Sequence, residues 1–394
     1  MLINIFTALA TGGAVVVGHM LGESNERRAK TAAWQMILFS MVASLFVMLF
    51  YLGIHEWVLT KVFGSVEPQV YESARSYLLI TALSIVPLAV YNCCCALFRA
   101  VSNSRVTMWI SLLMNIFNIV GNYLLIYVVK MGVAGAALST TFARTVAAVL
   151  SFVLLYRAKN AVSFKGYITW KPNFTYIKKI LYIGLPNGLE NSLFQLGKIV
   201  LLSLVSTLGT YAIAANAVSN TIAAFNILPG MAINYAVLSV CSYCAGAKRY
   251  DQVKYYTKKL LSLIYVCMWC LSITIMLGGS VILKLYHLSP EAYELTKTVI
   301  LYHAIMAMIT WVPSFSLSNA LRSVGDVLYP TSIAIISMWI FRIGAAYLLC
   351  GYFHMGLMGV WIAMTIDWAF RAICYLIRFF GGAWERNLSK KKHF

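Results

Sequence analysis

Charged residues are scarce in this chain, and acidic residues are the scarcest. Only 11% of its 394 residues are charged, with 12 Asp and Glu against 31 Lys and Arg. A soluble domain carries about 25% charged residues, so the composition argues against an ordinary soluble protein. Hydrophobic residues make up 61% of the chain, which predicts that most of its length lies in hydrocarbon.

Sequence signatures of enzymes, metal sites and secreted proteins are absent or stand in the wrong context. The patterns H-E-x-x-H and G-x-S-x-G and paired intramembrane aspartates do not occur, so we expect no enzyme and no catalytic residue. Two C-x-x-C pairs begin at Cys241 and Cys267, but both lie in apolar helical runs, and we expect no metal site. The first ten residues carry no basic segment, which argues against a cleavable signal peptide.

Apolar runs of about 20 residues, each long enough to cross a bilayer, recur eleven times between polar breaks. They lie near 1–20, 31–54, 76–98, 107–128, 133–156, 180–205, 211–245, 260–283, 298–321, 329–350 and 357–377. The run at 211–245 exceeds one straight span, and we expect Pro229 to kink it. The sequence therefore predicts an all-α polytopic membrane protein.

The basic residues fall unevenly on the two sides of these spans. Alternate loops hold 22 Lys and Arg on one side and five on the other, and the remaining four, Arg144, Lys198, Arg342 and Arg371, lie within spans. Cytoplasmic loops are enriched in Lys and Arg, so we expect a plasma-membrane protein with a cytoplasmic C-terminus. This distribution accounts for the net charge of +19 without a nucleic-acid partner.

Short motifs recur at a nearly fixed distance of 224 residues. They are M-G-x-x-G at 131–135 and 355–359, Y-L-L at 123–125 and 347–349, and A-L followed by Arg at 96–99 and 320–322, where the Arg is displaced by one residue. A common offset over separated stretches predicts a tandem duplication.

This offset leaves the span 180–205 and the first part of 211–245 without counterparts in the first half. We therefore expect two pseudo-symmetric six-helix lobes with eleven of twelve helices present, roughly 45–55 residues of the first lobe being absent. The predicted parts are an N-terminal lobe at 1–157, a cytoplasmic connection at 158–179, a C-terminal lobe at 180–380 and a basic cytoplasmic tail at 381–394.

Several motifs together resemble the multidrug and toxic-compound extrusion (MATE) family of transporters, in the same order and over essentially the whole chain. They are G-G-A at 12–14, L-G-E at 21–23, L-F-R-A at 97–100, G-A-A-L-S-T at 135–140, G-L-P at 184–186 and A-I-A-A-N at 212–216. The resemblance implies two six-helix lobes around a cavity, and export of organic, often cationic, compounds by antiport with H⁺ or Na⁺. We expect no cofactor beyond that coupling ion, small organic substrates and the lipid bilayer as partners, and a monomer.

Two acidic residues lie in predicted spans, Glu190 and Asp367, and a charge inside a bilayer is a functional candidate by default. At 100° per residue, one side of the span 180–205 gathers Asn187, Glu190, Asn191, Phe194 and Lys198. Glu190 and Lys198 are about 12 Å apart along the axis, too far for a direct pair. We expect Glu190 to bind the coupling cation or proton. The alternative is a carboxylate that a neighbouring basic side chain neutralises and that holds the lobe together.

The resemblance bears on the coupling ion as well. Many relatives carry a carboxylate in the seventh helix, but one turn later, near Phe194. Some carry an aspartate in the tenth helix, whereas the span 298–321 has no acid here. The coupling aspartate of proton-driven members lies on a first helix that this chain does not include, so H⁺ and Na⁺ both stay open.

The other polar residues within spans have two interpretations. Asp367 and Arg371 are spaced i, i+4 and can pair locally, and Arg342 lies at a similar depth on the preceding span, so we expect a structural ion pair. Four amides, Asn118, Asn122, Asn216 and Asn220, can join helices or bind a cation or substrate, and both interpretations stay open. The 17 Met and 14% aromatic residues suit an adaptable cavity for varied cations.

Two alternatives to an active efflux transporter remain at this stage. A lipid-linked oligosaccharide or polysaccharide flippase of the same superfamily has the same duplicated architecture, and Arg144, Lys198 and Arg342 would suit a pyrophosphate. A truncated, inactive fragment is the second alternative, and an upstream in-frame helix containing an acid would decide it. The identity of the substrate does not follow from the residues.

Overall fold

A computed structural model describes residues 2–62 and 67–385, and no strand occurs within those two ranges. The α-helices are α1 (Leu2–Gly22), α2 (Glu26–Trp57), α3 (Pro68–Leu83), α4 (Ile85–Ala100), α5 (Ser104–Asn122), α6 (Gly132–Arg157), α7 (Phe174–Ser206), α8 (Thr210–Gly246), α9 (Tyr250–Lys284), α10 (Pro290–Met306), α11 (Val312–Ser323), α12 (Leu328–Ser337), α13 (Ala345–Gly351) and α14 (Gly356–Phe380). Short π-helical segments continue α2, α5, α10 and α12, and they are Val58–Val62, Tyr123–Val128, Ala307–Trp311 and Met338–Gly344.

The helices are of membrane-crossing length. In the described part of the chain, ten continuous helical stretches are long and apolar enough to span a bilayer, and the bent pair α3 and α4 would make an eleventh. A helix satisfies its own backbone hydrogen bonds, which is the condition for crossing hydrocarbon. The prediction of an all-α polytopic membrane protein is confirmed.

The chain divides into two compact units, Met1–Gly188 and Leu189–Phe394. The division falls within α7, whereas the sequence prediction begins the second lobe at residue 180. The first half of α7 belongs with α1 because two glycines let these helices approach closely. A Cβ added at Gly12 would lie 2.7 Å from the backbone nitrogen of Gly184, so a side chain would force the two helices apart.

Corresponding turns of the two units have the same backbone conformation. Ser24 and Lys248, which are 224 positions apart, have φ of 57° and 58°. Lys130 and His354 stand at the same separation and have φ of 60° and 51°. Residues other than glycine seldom adopt positive φ, so this agreement supports the duplication that the sequence motifs predict.

Two of the predicted spans contain a proline at which a bend is expected or observed. Pro87 has no amide hydrogen for the Leu83 carbonyl, and its ring crowds the preceding turn, so the predicted span at 76–98 is bent by 43° between α3 and α4. Ser84 stands at this bend, and its amide bonds to the Thr81 carbonyl at 3.0 Å. Pro229 lies inside α8, and the kink expected there stays a prediction.

The segment 158–173, between α6 and α7, is fastened to α2. The indole nitrogen of Trp34 donates to the Thr169 carbonyl at 2.7 Å. The amide of Gln35 accepts from the Asn173 backbone at 2.9 Å and donates to a second carbonyl of the segment at 3.0 Å. The connection is therefore an ordered part of the first unit.

The residues after α14 pack against the second unit. Trp384 is fully buried and stacks on Phe379 with 5.6 Å between ring centres. Glu385 forms an ion pair with Lys254 at 2.6 Å. The rest of the predicted basic tail, 386–394, lies outside the described residues.

Candidate functional site

The first of two clusters of charged side chains in the second unit is an ion pair that joins α7 to α11. Arg322 Nη2 donates to Glu190 Oε2 at 2.5 Å, and the two side chains are 8% and 17% exposed. Because the apolar run ends near residue 321, the sequence predicts that Arg322 lies in the loop after it, and that prediction is wrong. The helix α11 continues to Ser323, and its last turn is buried, so Arg322 lies inside the unit.

The second cluster of charged side chains is centred on Asp367 of α14, whose side chain is completely buried. Arg371 Nε donates to its Oδ1 at 2.7 Å, one helical turn away. Ser337 Oγ donates to the same oxygen. Arg342, in the π-helical segment that follows α12, brings Nη1 to 3.6 Å from the other carboxylate oxygen. One carboxylate therefore serves two arginines.

The ring of Phe194 lies among three cations. It is one turn after Glu190 on α7, and Lys198 Nζ is 5.1 Å from the ring centre. The Cζ atoms of Arg342 and Arg371 lie 4.9 and 5.9 Å from the same centre. A cation within about 6 Å of a ring face is attracted by the ring quadrupole, so Phe194 brings together charges that repel one another.

The two carboxylates, Glu190 and Asp367, differ in how far their side chains are exposed. Asp367 is fully buried between two guanidinium groups and is suited to holding α12 and α14 together. Glu190 is partly exposed and has one ionic partner, Arg322. Within residues 2–62 and 67–385, no group of three or more His, Cys, Asp or Glu is placed to hold a metal ion.

The other predicted residues of α7 lie at different depths. Asn187 is half-buried and belongs to the first unit, while Asn191 and Lys198 are exposed and belong to the second. In the described part of the chain, no carboxylate lies within 4.0 Å of the Lys198 ammonium group.

The predicted amides of α8 make local and interhelical hydrogen bonds. Asn216 Oδ1 accepts from the indole nitrogen of Trp361 on α14 at 3.3 Å. Asn220 Nδ2 donates to the backbone carbonyl of Asn216 at 2.8 Å. The first contact joins α8 to α14, and the second lies within α8.

The predicted amides of α5 lie in the first unit and face α6. Asn118 Nδ2 donates to Thr140 Oγ1 at 3.1 Å, and Asn122 Nδ2 donates to Asn118 Oδ1 at 3.3 Å. Nearby, Arg144 Nη1 donates to Ser84 Oγ at 2.7 Å. The structure therefore does not bring these amides together with Glu190 in one unit.

Arg322 is the site residue that sequence reasoning missed, whereas His303 is a buried side chain packed between aromatic rings, to which the sequence assigns no role. His303 is 3% exposed, and its ring lies edge-on to Trp361 and Trp368 with centre separations of 5.4 and 5.6 Å. A signal for Arg322 was present, because the repeated A-L and Arg motif places it opposite Arg99 in the first half. No spacing rule points to His303.

Ion-paired side chains inside a multi-pass helical bundle are typical of membrane transporters. The family model described as MatE matches residues 1–124 and 186–348, which is more than half of the chain and includes both halves. The chain belongs to the MatE family.

Curated relatives are about a quarter identical to this chain over the residues that align. A protein of Thermotoga maritima named "Probable multidrug resistance protein NorM" is 25% identical over 390 residues, which is 97% of this chain and 82% of the relative. The "Uncharacterized transporter YisQ" of Bacillus subtilis is 25% identical over 98% of this chain and 84% of its own length.

A solved structure described as "Crystal structure of MATE in the bent conformation" matches with a TM-score of 0.90. It is 18% identical, and the match covers 98% of this chain and 86% of that one. This likeness shows that the fold is shared.

Proposed function

We propose that this protein is a secondary active transporter that exports organic compounds, cationic ones included, in exchange for H⁺ or Na⁺. The observation that carries the proposal is the match to the MatE family in both halves of the chain. Two related proteins, one from Thermotoga maritima and one from Oceanobacillus iheyensis, are both named as probable multidrug resistance proteins, and they support the proposal. No cofactor beyond the coupling ion is proposed.

Glu190 is the proposed site of the coupling ion. A proton or Na⁺ on this partly exposed carboxylate would replace Arg322 as its counter-charge. The guanidinium, 2.5 Å away in the ion pair, would then be buried without a counter-charge, which is costly. Binding of the ion would therefore favour a rearrangement of α7 relative to α11, and this change is the proposed coupling step.

Reconstituted liposomes with a separate H⁺ or Na⁺ gradient test the coupling role, with ethidium export as the measurement. We expect Glu190→Gln to abolish gradient-driven export while the protein still inserts and purifies normally. Because the single change leaves Arg322 unpaired, the double variant Glu190→Gln with Arg322→Gln is the matched control for the lost ion pair. A double variant that exports as the unaltered protein does would show that the pair is structural only.

The proposed location is the plasma membrane, with a monomer whose C-terminus is cytoplasmic. The concentration of basic residues on one set of loops supports this orientation. An epitope tag placed after Phe394 should be reached by antibody only after the membrane is permeabilised. Labelling of the tag on intact cells would contradict the proposed orientation.

A lipid-linked oligosaccharide flippase is the second candidate. The cations around Phe194, which are Lys198, Arg342 and Arg371, favour it because a pyrophosphate needs several positive charges. Cells that express the protein should gain drug resistance under the first proposal, whereas reconstituted vesicles should flip lipid precursor under the second.

A further inference from the structure

The charged residues around Glu190, Phe194 and Asp367 in the second unit carry more positive than negative charge. Glu190 is matched by Arg322, and Asp367 is shared by Arg371 and Arg342. Lys198 stands in addition to these and has no carboxylate within 4.0 Å among the described residues. Four cations against two carboxylates leave an excess of two positive charges beside the Phe194 ring.

Arg342 has hydrogen-bond donors that nothing in the described structure accepts. Its side chain is 10% exposed, and its Nε and Nη1 atoms are buried without a hydrogen-bond partner. The 3.6 Å to Asp367 is an ionic contact too long for a hydrogen bond. A guanidinium offers five donors in a fixed plane, so Arg342 is under-satisfied by its own protein.

Lys198 and Arg342 both have their charged groups close to the Phe194 ring. Since their charged groups lie 5.1 and 4.9 Å from the centre of the same Phe194 ring, these groups are at most about 10 Å apart. An anion that accepts a hydrogen bond from each, through two of its oxygen atoms, spans up to about 8 Å between the two nitrogen atoms. Lys198 is exposed and Arg342 is buried, so a ligand has access from the Lys198 side and reaches the buried donors behind it.

We propose that Lys198 and Arg342, at the Phe194 ring, form a binding subsite for the anionic group of an organic phosphate or carboxylate. The anion relieves the repulsion between the two cations and supplies the acceptors that Arg342 lacks. Charge-assisted bonds of this kind are stronger than neutral ones. As a statement about the substrate, the inference rests on the proposed transport function. The anion has two conceivable sources, a soluble organic acid or the phosphate of a lipid.

Equilibrium dialysis of 1-naphthyl phosphate against the purified full chain in phosphatidylcholine nanodiscs tests the subsite. We expect the phosphate to bind and the uncharged 1-naphthol to bind at least about tenfold more weakly. Lys198→Gln should weaken phosphate binding by about tenfold or more, and Lys198→Arg should restore it. Lys284→Gln, which removes an exposed lysine at the end of α9, is the matched control and should bind as the unaltered chain does.

Equal binding by the unaltered chain and Lys198→Gln would overturn the subsite, as would equal binding of 1-naphthol and its phosphate. Because exposed Lys198 makes no ion pair, its replacement should not disturb folding, and a preserved unfolding midpoint would confirm this. Displacement by undecaprenyl phosphate but not by undecaprenol would assign the anion to a lipid, and no displacement would assign it to a soluble compound. Gradient-driven export is measured separately, so anion binding without export would contradict the transport proposal alone.

Discussion

At the scale of single residues, Asp367 offers the clearest test of stability. Its carboxylate is fully buried and neutralises Arg371 at 2.7 Å and Arg342 at 3.6 Å. Asp367→Asn keeps the shape of the side chain but leaves both guanidinium groups without a counter-charge. We expect the free energy of unfolding to fall by about 3–5 kcal/mol, the usual effect of breaking a buried ion pair.

Thermal unfolding of the purified protein in detergent is the measurement. Glu294→Gln removes one partner of an exposed pair, 4.0 Å from Lys297, and should change the midpoint little, because exposed pairs contribute about 0–1 kcal/mol. If Asp367→Asn unfolds at the same temperature as that control, the buried pair does not stabilise the unit.

Which charges pair could be predicted only where both partners lie within predicted spans. The i, i+4 spacing of Asp367 and Arg371 points to their contact, and the depth of Arg342 places it nearby. The partner of Glu190 could not be found in this way, because it depends on where α11 ends. Arg322 follows an apolar run and has the composition of a loop residue, but the packing of α11 draws it inside.

At the scale of elements, the fastening of the segment 158–173 to α2 depends on Gln35. This side chain is 1% exposed and makes two hydrogen bonds to the segment. Gln35→Ala removes both and leaves the backbone groups of the segment to find water. Since a lost hydrogen bond costs about 0.5–1.5 kcal/mol, we expect local opening to become about tenfold more frequent.

Trypsin reports this opening, because Lys159 and Lys165 lie in the segment. The initial rate of cleavage between α6 and α7 should rise about tenfold in Gln35→Ala, in proportion to the open population. Gln252→Ala, a half-buried residue of α9 in the second unit, should leave the rate unchanged. Similar rates in both variants would mean that Gln35 does not hold the connection.

The number and length of the helices follow from the apolar runs, but their irregularities do not. Pro313 lacks the amide hydrogen that would bond to the Ile309 carbonyl, and a π-helical segment forms just before it. Tyr265 donates to that carbonyl at 3.3 Å, and Trp269 donates to the Met308 carbonyl at 3.0 Å. The proline marks the disturbance, while the side chains that compensate for it come from another helix and are invisible in the local sequence.

At the scale of the whole molecule, the duplication was the most informative prediction. Motifs 224 positions apart form turns of the same conformation. The second glycine of each M-G-x-x-G motif also allows a close contact with the preceding helical segment. A Cβ at Gly135 would lie 3.0 Å from Leu125, and one at Gly359 would lie 3.1 Å from Leu349. The offset thus describes packing as well as sequence. Charge does not follow it at every position, because Asp367 of the second unit corresponds to Ala143 in the first.

The glycines that begin α6 and α14 give the duplication a direct energetic test. Gly132 and Gly356 both have φ of 55°, and an added Cβ meets nothing within 4 Å at either position. An alanine there would cost only the strain of left-handed backbone, about 1–2 kcal/mol. We therefore expect Gly132→Ala and Gly356→Ala to lower the unfolding midpoint by equal amounts. Gly53→Ala, inside α2 with equally open space, should be neutral or stabilising, and unequal losses at the first two positions would mean that the turns are not equivalent.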